Sequence, residues 1–335
     1  MGRASLLAAA ASVAAALIVA GAFPHPAAGH GLEKVIASSY LARISQQPRG
    51  LDAKVIDGDQ RMWLRVPPAE TVTVLDYRGA PYLRFSRAGV LVNRNSVMYY
   101  LNQTPFAQTP PSNIGPRTAP AWEEGSGAHE YSWHDGRLAA LVTVARAPGA
   151  TFVGRWSIPL VVDGRAHAIS GGLWHAQSPS IVWFWPIVVL ISCVLALWRV
   201  RRPALDRRAA RLLGIVSLAA TTLAALAQGL HGRPTVAVPQ LIELALILIF
   251  VAWALSRVLR GRAGHFTYFL IAFAAMWQGL EMIPTLFDGF VLAAVPAILA
   301  RSASVVCIGA GAGLLLIAMR LGLEPKRSVA PAREA

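Results

Sequence analysis

Five apolar runs fill most of the second half of the chain, at residues 181–198, 212–230, 238–255, 266–285 and 302–319. Each approaches the roughly 20 residues that a helix needs to cross a hydrocarbon core of about 30 Å. In lipid every backbone N–H and C=O must bond within its own segment, so such runs fold as helices. Only 14% of the residues are charged and the mean hydropathy is +0.48, against about 25% charged in an average soluble domain. A single soluble globule is therefore excluded. The fold expected for this half, residues 179–322, is an α-helical transmembrane bundle of five spans. Residues 286–300 are apolar but hold Asp288 and Pro296. They read as an interfacial or re-entrant segment, with a sixth span as the alternative.

The charge of +14 would suggest nucleic-acid binding if it were spread over a soluble domain. It is not: residues 181–335 hold 15 basic and 6 acidic groups, and residues 30–180 hold 15 and 11. Arg crowds 199–211, 257–262 and the tail from Arg320, whereas Arg233 and Arg301 alone occupy the intervening loops. By the positive-inside bias the Arg-rich loops and the tail, 323–335, face the cytoplasm. The first mature span then enters from outside, and the preceding domain is extracytoplasmic at a plasma membrane. The lipid bilayer is the expected partner and nucleic acid is not.

The N-terminal end agrees with this. Arg3 precedes an uncharged apolar stretch, and small residues at Ala20-Gly21-Ala22 and Ala27-Ala28-Gly29 mark two cleavage sites. Residues 1–29 read as a secretory signal peptide, with a retained anchor helix as the alternative. Cleavage after Gly29 makes His30 the new N-terminus, where an α-amine, an imidazole and a backbone nitrogen suit copper(II). Cleavage after Ala22 leaves Phe23 first and removes that site. Cys193 and Cys307 both fall in predicted spans, so the exported half has no cysteine for a disulfide.

Between 30 and 178, short β-rich runs alternate with turn residues: 53–56, 62–66, 71–77, 82–86, 89–93, 97–101, 130–144, 151–162 and 165–174, with a Pro-rich loop at 104–120. That spacing predicts an all-β, immunoglobulin-like sandwich. The runs Val55-Ile56-Asp57-Gly58-Asp59, Pro81-Tyr82-Leu83-Arg84-Phe85, Tyr100-Leu101-Asn102, Trp133-His134-Asp135 and Ile158-Pro159-Leu160 resemble a group of exported or membrane-anchored actinobacterial proteins without an assigned activity. The resemblance implies an extracytoplasmic β-domain. Where the family pattern continues with further histidines, this chain has Gly136-Arg137-Leu138-Ala139. The membrane half is similar to copper-resistance D-type membrane proteins through its small-residue-rich last span.

Two places could carry chemistry. In the exported half, His134 and its neighbour Asp135, joined across space by His30, form a three-ligand set suited to copper(II). An ordinary strand-end pair is the structural alternative. In the bundle, the topology gathers His231, Glu243, Gln278, Glu281, Met282 and Arg301 in the outer leaflet. Ionisable groups in a span are costly and usually face the bundle interior or water. Glu243 and Glu281 thus read as protonatable groups, as cation ligands with His231 and Met282, or as ion-pair partners of Arg301. No HExxH, GxSxG or Walker pattern occurs, so an enzyme is not expected. The expected task is extracytoplasmic ligand binding, with copper binding or transport as its form. The alternative is a structural or assembly protein whose β-domain docks another cell-envelope protein.

Overall fold

The computed structural model describes residues 35–103, 106–139, 151–199, 202–232 and 234–323. The signal-peptide reading of 1–29, His30 and all but the start of the tail lie outside them. The chain forms two compact units, one built from residues up to Gln177 with Gly232–Ile242, the other from Ser178–His231 and from Glu243 onward.

The first unit is β-rich. After the two-residue strand β1 (Ala37–Ser38) come β2 (Tyr40–Gln46), β3 (Asp52–Ile56), β4 (Arg61–Arg65), β5 (Val72–Leu75), β6 (Pro81–Ser86) and β7 (Gly89–Asn93). These are followed by β8 (Trp122–Ser126), β9 (Glu130–His134), β10 (Phe152–Val162) and β11 (Arg165–His175). One sheet has seven strands in the order β2-β11-β10-β5-β6-β7-β8, and the other has three, β3-β4-β9. Alternation drives their pairing: Val72 and Val74 are fully buried while Thr73 and Leu75, which alternate with them, are not. Met62, Leu64 and Trp133 from the small sheet share one core with Leu83, Phe85, Ile158, Leu160 and Leu173 from the large one. The domain is a sandwich of two unequal sheets.

Three expectations change. Residues 97–101 form a short helix, α1 (Val97–Leu101), rather than a strand. Ser96 is the reason: its hydroxyl accepts from the Met98 N–H, a cap that starts a helical turn. The buried Asp76 carboxylate accepts from both the Ser96 hydroxyl and the Val97 N–H. The strand expected over 130–144 stops at His134, because Asp135 closes a turn, accepting the Leu138 N–H at its carbonyl and the Arg137 N–H at its side chain. Strands β2 and β8 were not anticipated. Both lie at edges of the large sheet and carry the polar residues that protect an edge, such as Arg43, Ser45 and Gln46 or Glu123 and Glu124.

All five apolar runs are helical: α2 (Trp185–Arg199), entered through a 3-10 turn at Ile181–Phe184, α3 (Pro203–Gly229), α4 (Val238–Leu259), α5 (His265–Glu281) and α6 (Ala297–Gly322). Three, at Ala204–Gly229, Val238–Leu259 and Ala297–Gly322, are long and apolar enough to cross a membrane. Residues 287–296 are not helical, so no sixth spanning helix forms there, and α6 starts before the expected 302.

Helix α6 is central. A Cβ on Gly309 would lie 2.7 Å from Leu190, one on Gly313 2.8 Å from Val194, and one on Gly311 2.9 Å from Met276. Residues 309 and 313 thus meet α2, while 311 meets α5. The alternating glycines let three helices approach closely, the usual role of small residues in membrane bundles. Helix α4 touches the bundle along Leu244, Ile247, Val251, Ala254 and Val258, spaced three and four apart on one face. On its other side Leu246, Ile249 and Trp253 are exposed. A buried ion pair, Arg320 Nε to Asp206 Oδ2 at 3.0 Å, joins the end of α6 to the start of α3.

Candidate functional site

Trp133-His134-Asp135-Gly136-Arg137 closes the sandwich. Asp135 is 1% exposed. One of its oxygens accepts from the Arg137 N–H and Nε (3.1 and 2.8 Å), the other from Trp133 Nε1 (2.9 Å) and an Arg137 terminal nitrogen (2.7 Å). Arg137 also donates to the Leu75 carbonyl at 3.1 Å and stacks 5.1 Å from the Tyr77 ring. The Tyr77 hydroxyl in turn accepts from the Gly136 N–H. Burial, and then the Asp135 charge, raise the Tyr77 pKa above its ordinary value, and burial raises that of Tyr82 further. This is a charge-assisted, nearly water-free clamp between the two sheets.

That clamp bears on the expected copper set. Both Asp135 oxygens point at Arg137 and Trp133, so an ion there would have to displace an ion pair. His134 is half-buried, and its main chain is held by Asn102, which accepts from the His134 N–H (2.7 Å) and donates to its carbonyl (3.2 Å). His30 lies outside the described residues. Among the described residues no three His, Cys, Asp or Glu side chains gather as a ligand set.

In the helical unit Gln278, Glu281 and Met282 stand at the end of α5, and Arg301 lies in the first turns of α6. Glu281 accepts from Trp277 Nε1 at 2.8 Å and from Gln278 Nε2 at 3.1 Å. Gln278 is 5% exposed and its carbonyl oxygen has no donor among the described residues. Arg301 does not reach Glu281: it donates to the main-chain carbonyls of Thr285 (2.8 Å), Asp288 (3.1 Å) and Gly289 (3.0 Å). Its guanidinium binds the turn after α5, and Ala294 N–H donates to the Ala227 carbonyl at the end of α3. The 287–296 segment is thereby tied to the end of α3 and to the start of α6. His231 and Glu243 flank the place where Gly229 of α3 meets Leu244 of α4. Met282 is fully buried at the end of α5, while Met276 lies against Gly311, so the two thioethers do not converge.

Among the described residues of the β-domain, the most exposed large apolar side chain, Phe106, lies on a segment that the sequence marks only as a Pro-rich loop. Residues 106–121 have no regular structure, yet they are pinned along their length. Asn93 accepts from the Ala121 N–H (2.8 Å), Asn95 Nδ2 donates to the Ala119 carbonyl (2.8 Å), Arg78 donates to the Ile114 carbonyl (2.8 Å), and the Gln108 N–H donates to the Tyr100 carbonyl (2.8 Å). Ile114 is buried at 6% and anchors the middle. Phe106 is 80% exposed and Leu101 38%. Beside them Tyr99 and Tyr100 meet edge to face at 5.3 Å. Arg94 lies 5.9 Å from the Tyr99 ring and 3.4 Å from Glu123. Prolines at 110, 111, 116 and 120 fix φ and lower the entropy lost on binding. The five prolines of 104–120 were the available signal.

No protein-family model matches the chain, and no curated protein or solved structure matches it.

Proposed function

We propose that the chain is a multi-pass plasma-membrane protein of a bacterial envelope, acting by binding rather than catalysis. Its extracytoplasmic β-domain, immunoglobulin-like in this reading and exported by a cleaved signal peptide, docks a second envelope protein. The helical unit is its anchor. The observation that carries the reading is Phe106, an aromatic side chain 80% exposed on a loop held rigid by buried Asn93 and Ile114. Long irregular loops that are nevertheless ordered usually serve binding. Tyr, Phe and Arg are the residues enriched in interface centres, and all three surround this loop. The Arg-rich loops supply the orientation. Copper binding through His134 and Asp135 would require Asp135 to leave Arg137 and Trp133, so docking stands ahead of it.

The test is the size of the assembly in native membranes solubilised in mild detergent. Wild-type chain is expected to migrate in a complex larger than itself, and Phe106→Asp to fall to the size of the lone chain while remaining folded. Identical sizes for the two would overturn the docking role of this loop.

A further inference from the structure

The outer face of the large sheet carries a second cluster, at the end of the β10–β11 hairpin from which the chain runs into the helices. Arg155 pairs with Gly172, and Gly172 with Arg43, so two exposed guanidinium groups flank a glycine in one cross-strand row. One step along, Trp174 pairs with both Phe152 and Leu41. The Phe152 and Trp174 rings meet edge to face at 5.6 Å, and the Arg43 guanidinium lies 5.6 Å from the Trp174 ring centre. A Cβ on Gly172 would come within 2.7 Å of Trp174 and 2.9 Å of Phe152. Glycine is what lets both rings lie down on the sheet. Phe152 remains 49% exposed, and the hydrophobic core does not account for it.

Trp174 precedes Ile181, the start of the apolar helical segment, by seven residues. Extended chain covers at most about 25 Å over that distance. The cluster is therefore joined to the first apolar helix by a linker of at most that length. Trp at headgroup depth, Arg for bidentate phosphate contact, and positive charge against an anionic leaflet are the three elements of interfacial recognition.

We propose that Arg43, Arg155, Phe152 and Trp174 form a site for anionic phospholipid headgroups of the membrane that holds the helices. The cations bind phosphate oxygens, the rings enter the interfacial layer, and the β-domain is thereby held against its own bilayer. This requires the helices to lie in a membrane, but not that the 106–121 loop binds a protein.

The probe is the full chain with Cys193→Ser and Cys307→Ser, carrying an environment-sensitive fluorophore at Leu41→Cys or, as a control at the far tip of the hairpin, at Arg165→Cys. It is reconstituted in phosphatidylcholine vesicles with or without phosphatidylglycerol, and quenched by a headgroup-labelled nitroxide lipid. With phosphatidylglycerol present, quenching at position 41 is expected to exceed that at 165 by at least about twofold, because basic groups are attracted to an anionic surface. Arg43→Gln with Arg155→Gln should remove the dependence on phosphatidylglycerol; both side chains are exposed, so the fold is retained. Equal quenching at the two positions, or quenching at 41 indifferent to phosphatidylglycerol, overturns the proposal. Either result leaves the Phe106 experiment unaffected, so failures of the two readings are distinguishable.

Discussion

Asp135 shows how one residue's surroundings decide what it can do. Next to a histidine it suggests a ligand, but four donors and near-complete burial make it the counter-ion of Arg137, whose side chain is only 13% exposed. Breaking a buried pair while leaving one charge behind costs about 3–5 kcal/mol. Asp135→Asn is therefore expected to lower β-domain stability by that amount, measured by hydrogen exchange of β4 and β9 in the full chain. A loss below about 1 kcal/mol, the worth of an exposed pair, would contradict the clamp. The tyrosines beside it give a pH dependence. Tyr77, Tyr82 and Tyr131 have folded-state pKa values raised above the ordinary one, mainly by burial. Their neutral forms contribute stability that is complete below about pH 10, the unfolded value, and is lost as the pH rises from there through the folded values. Unfolding temperature should thus fall between pH 9 and 11 more steeply in wild type than in Tyr82→Phe. Parallel curves would show that Tyr82 does not titrate on unfolding.

At the scale of elements, the strands with clear alternation, β5 to β7, were legible in the sequence, and so were the five apolar helices. The failures have a physical pattern. Edge strands β2 and β8 bury little and are polar, so alternation is faint. Helix α1 has β-prone residues in Val97, Tyr99 and Tyr100, and only the Ser96 cap, supported by Asp76 from a distant strand end, overrides them. The clamp was invisible for the same reason: Leu75, Tyr77 and Arg137 are remote in sequence and meet only through folding. The glycines of α6, in contrast, announced close packing. At the same interface, a Cβ on Gly279 would lie 2.9 Å from Cys307 and 2.8 Å from Ile308, and Ser304 donates to the Gly279 carbonyl at 3.1 Å. Cys307 is fully buried and Cys193 is exposed. In mild detergent a small maleimide should spare Cys307, and Gly279→Leu should make Cys307 reactive by forcing α5 from α6. Protection of Cys307 in that variant would mean that the helices tolerate the added volume.

At the scale of the whole molecule, two compact units divide the labour proposed here, one anchoring and one docking. The polar end of the bundle fits this division. Arg301 is spent on three carbonyls and Glu281 on Trp277 and Gln278, arrangements that stabilise helix ends. Glu281→Gln keeps a carbonyl acceptor for Trp277, so it is expected to leave the size of the native assembly unchanged; its collapse would instead make the bundle part of the binding machinery. The central claim is that the working surface lies around Phe106, and photo-crosslinking in living cells tests it most directly. With a benzophenone amino acid replacing Phe106, the account predicts a discrete adduct between the full chain and a second envelope protein, and none when the same group replaces the exposed Arg165. No adduct at 106, or the same adduct at both positions, would contradict it.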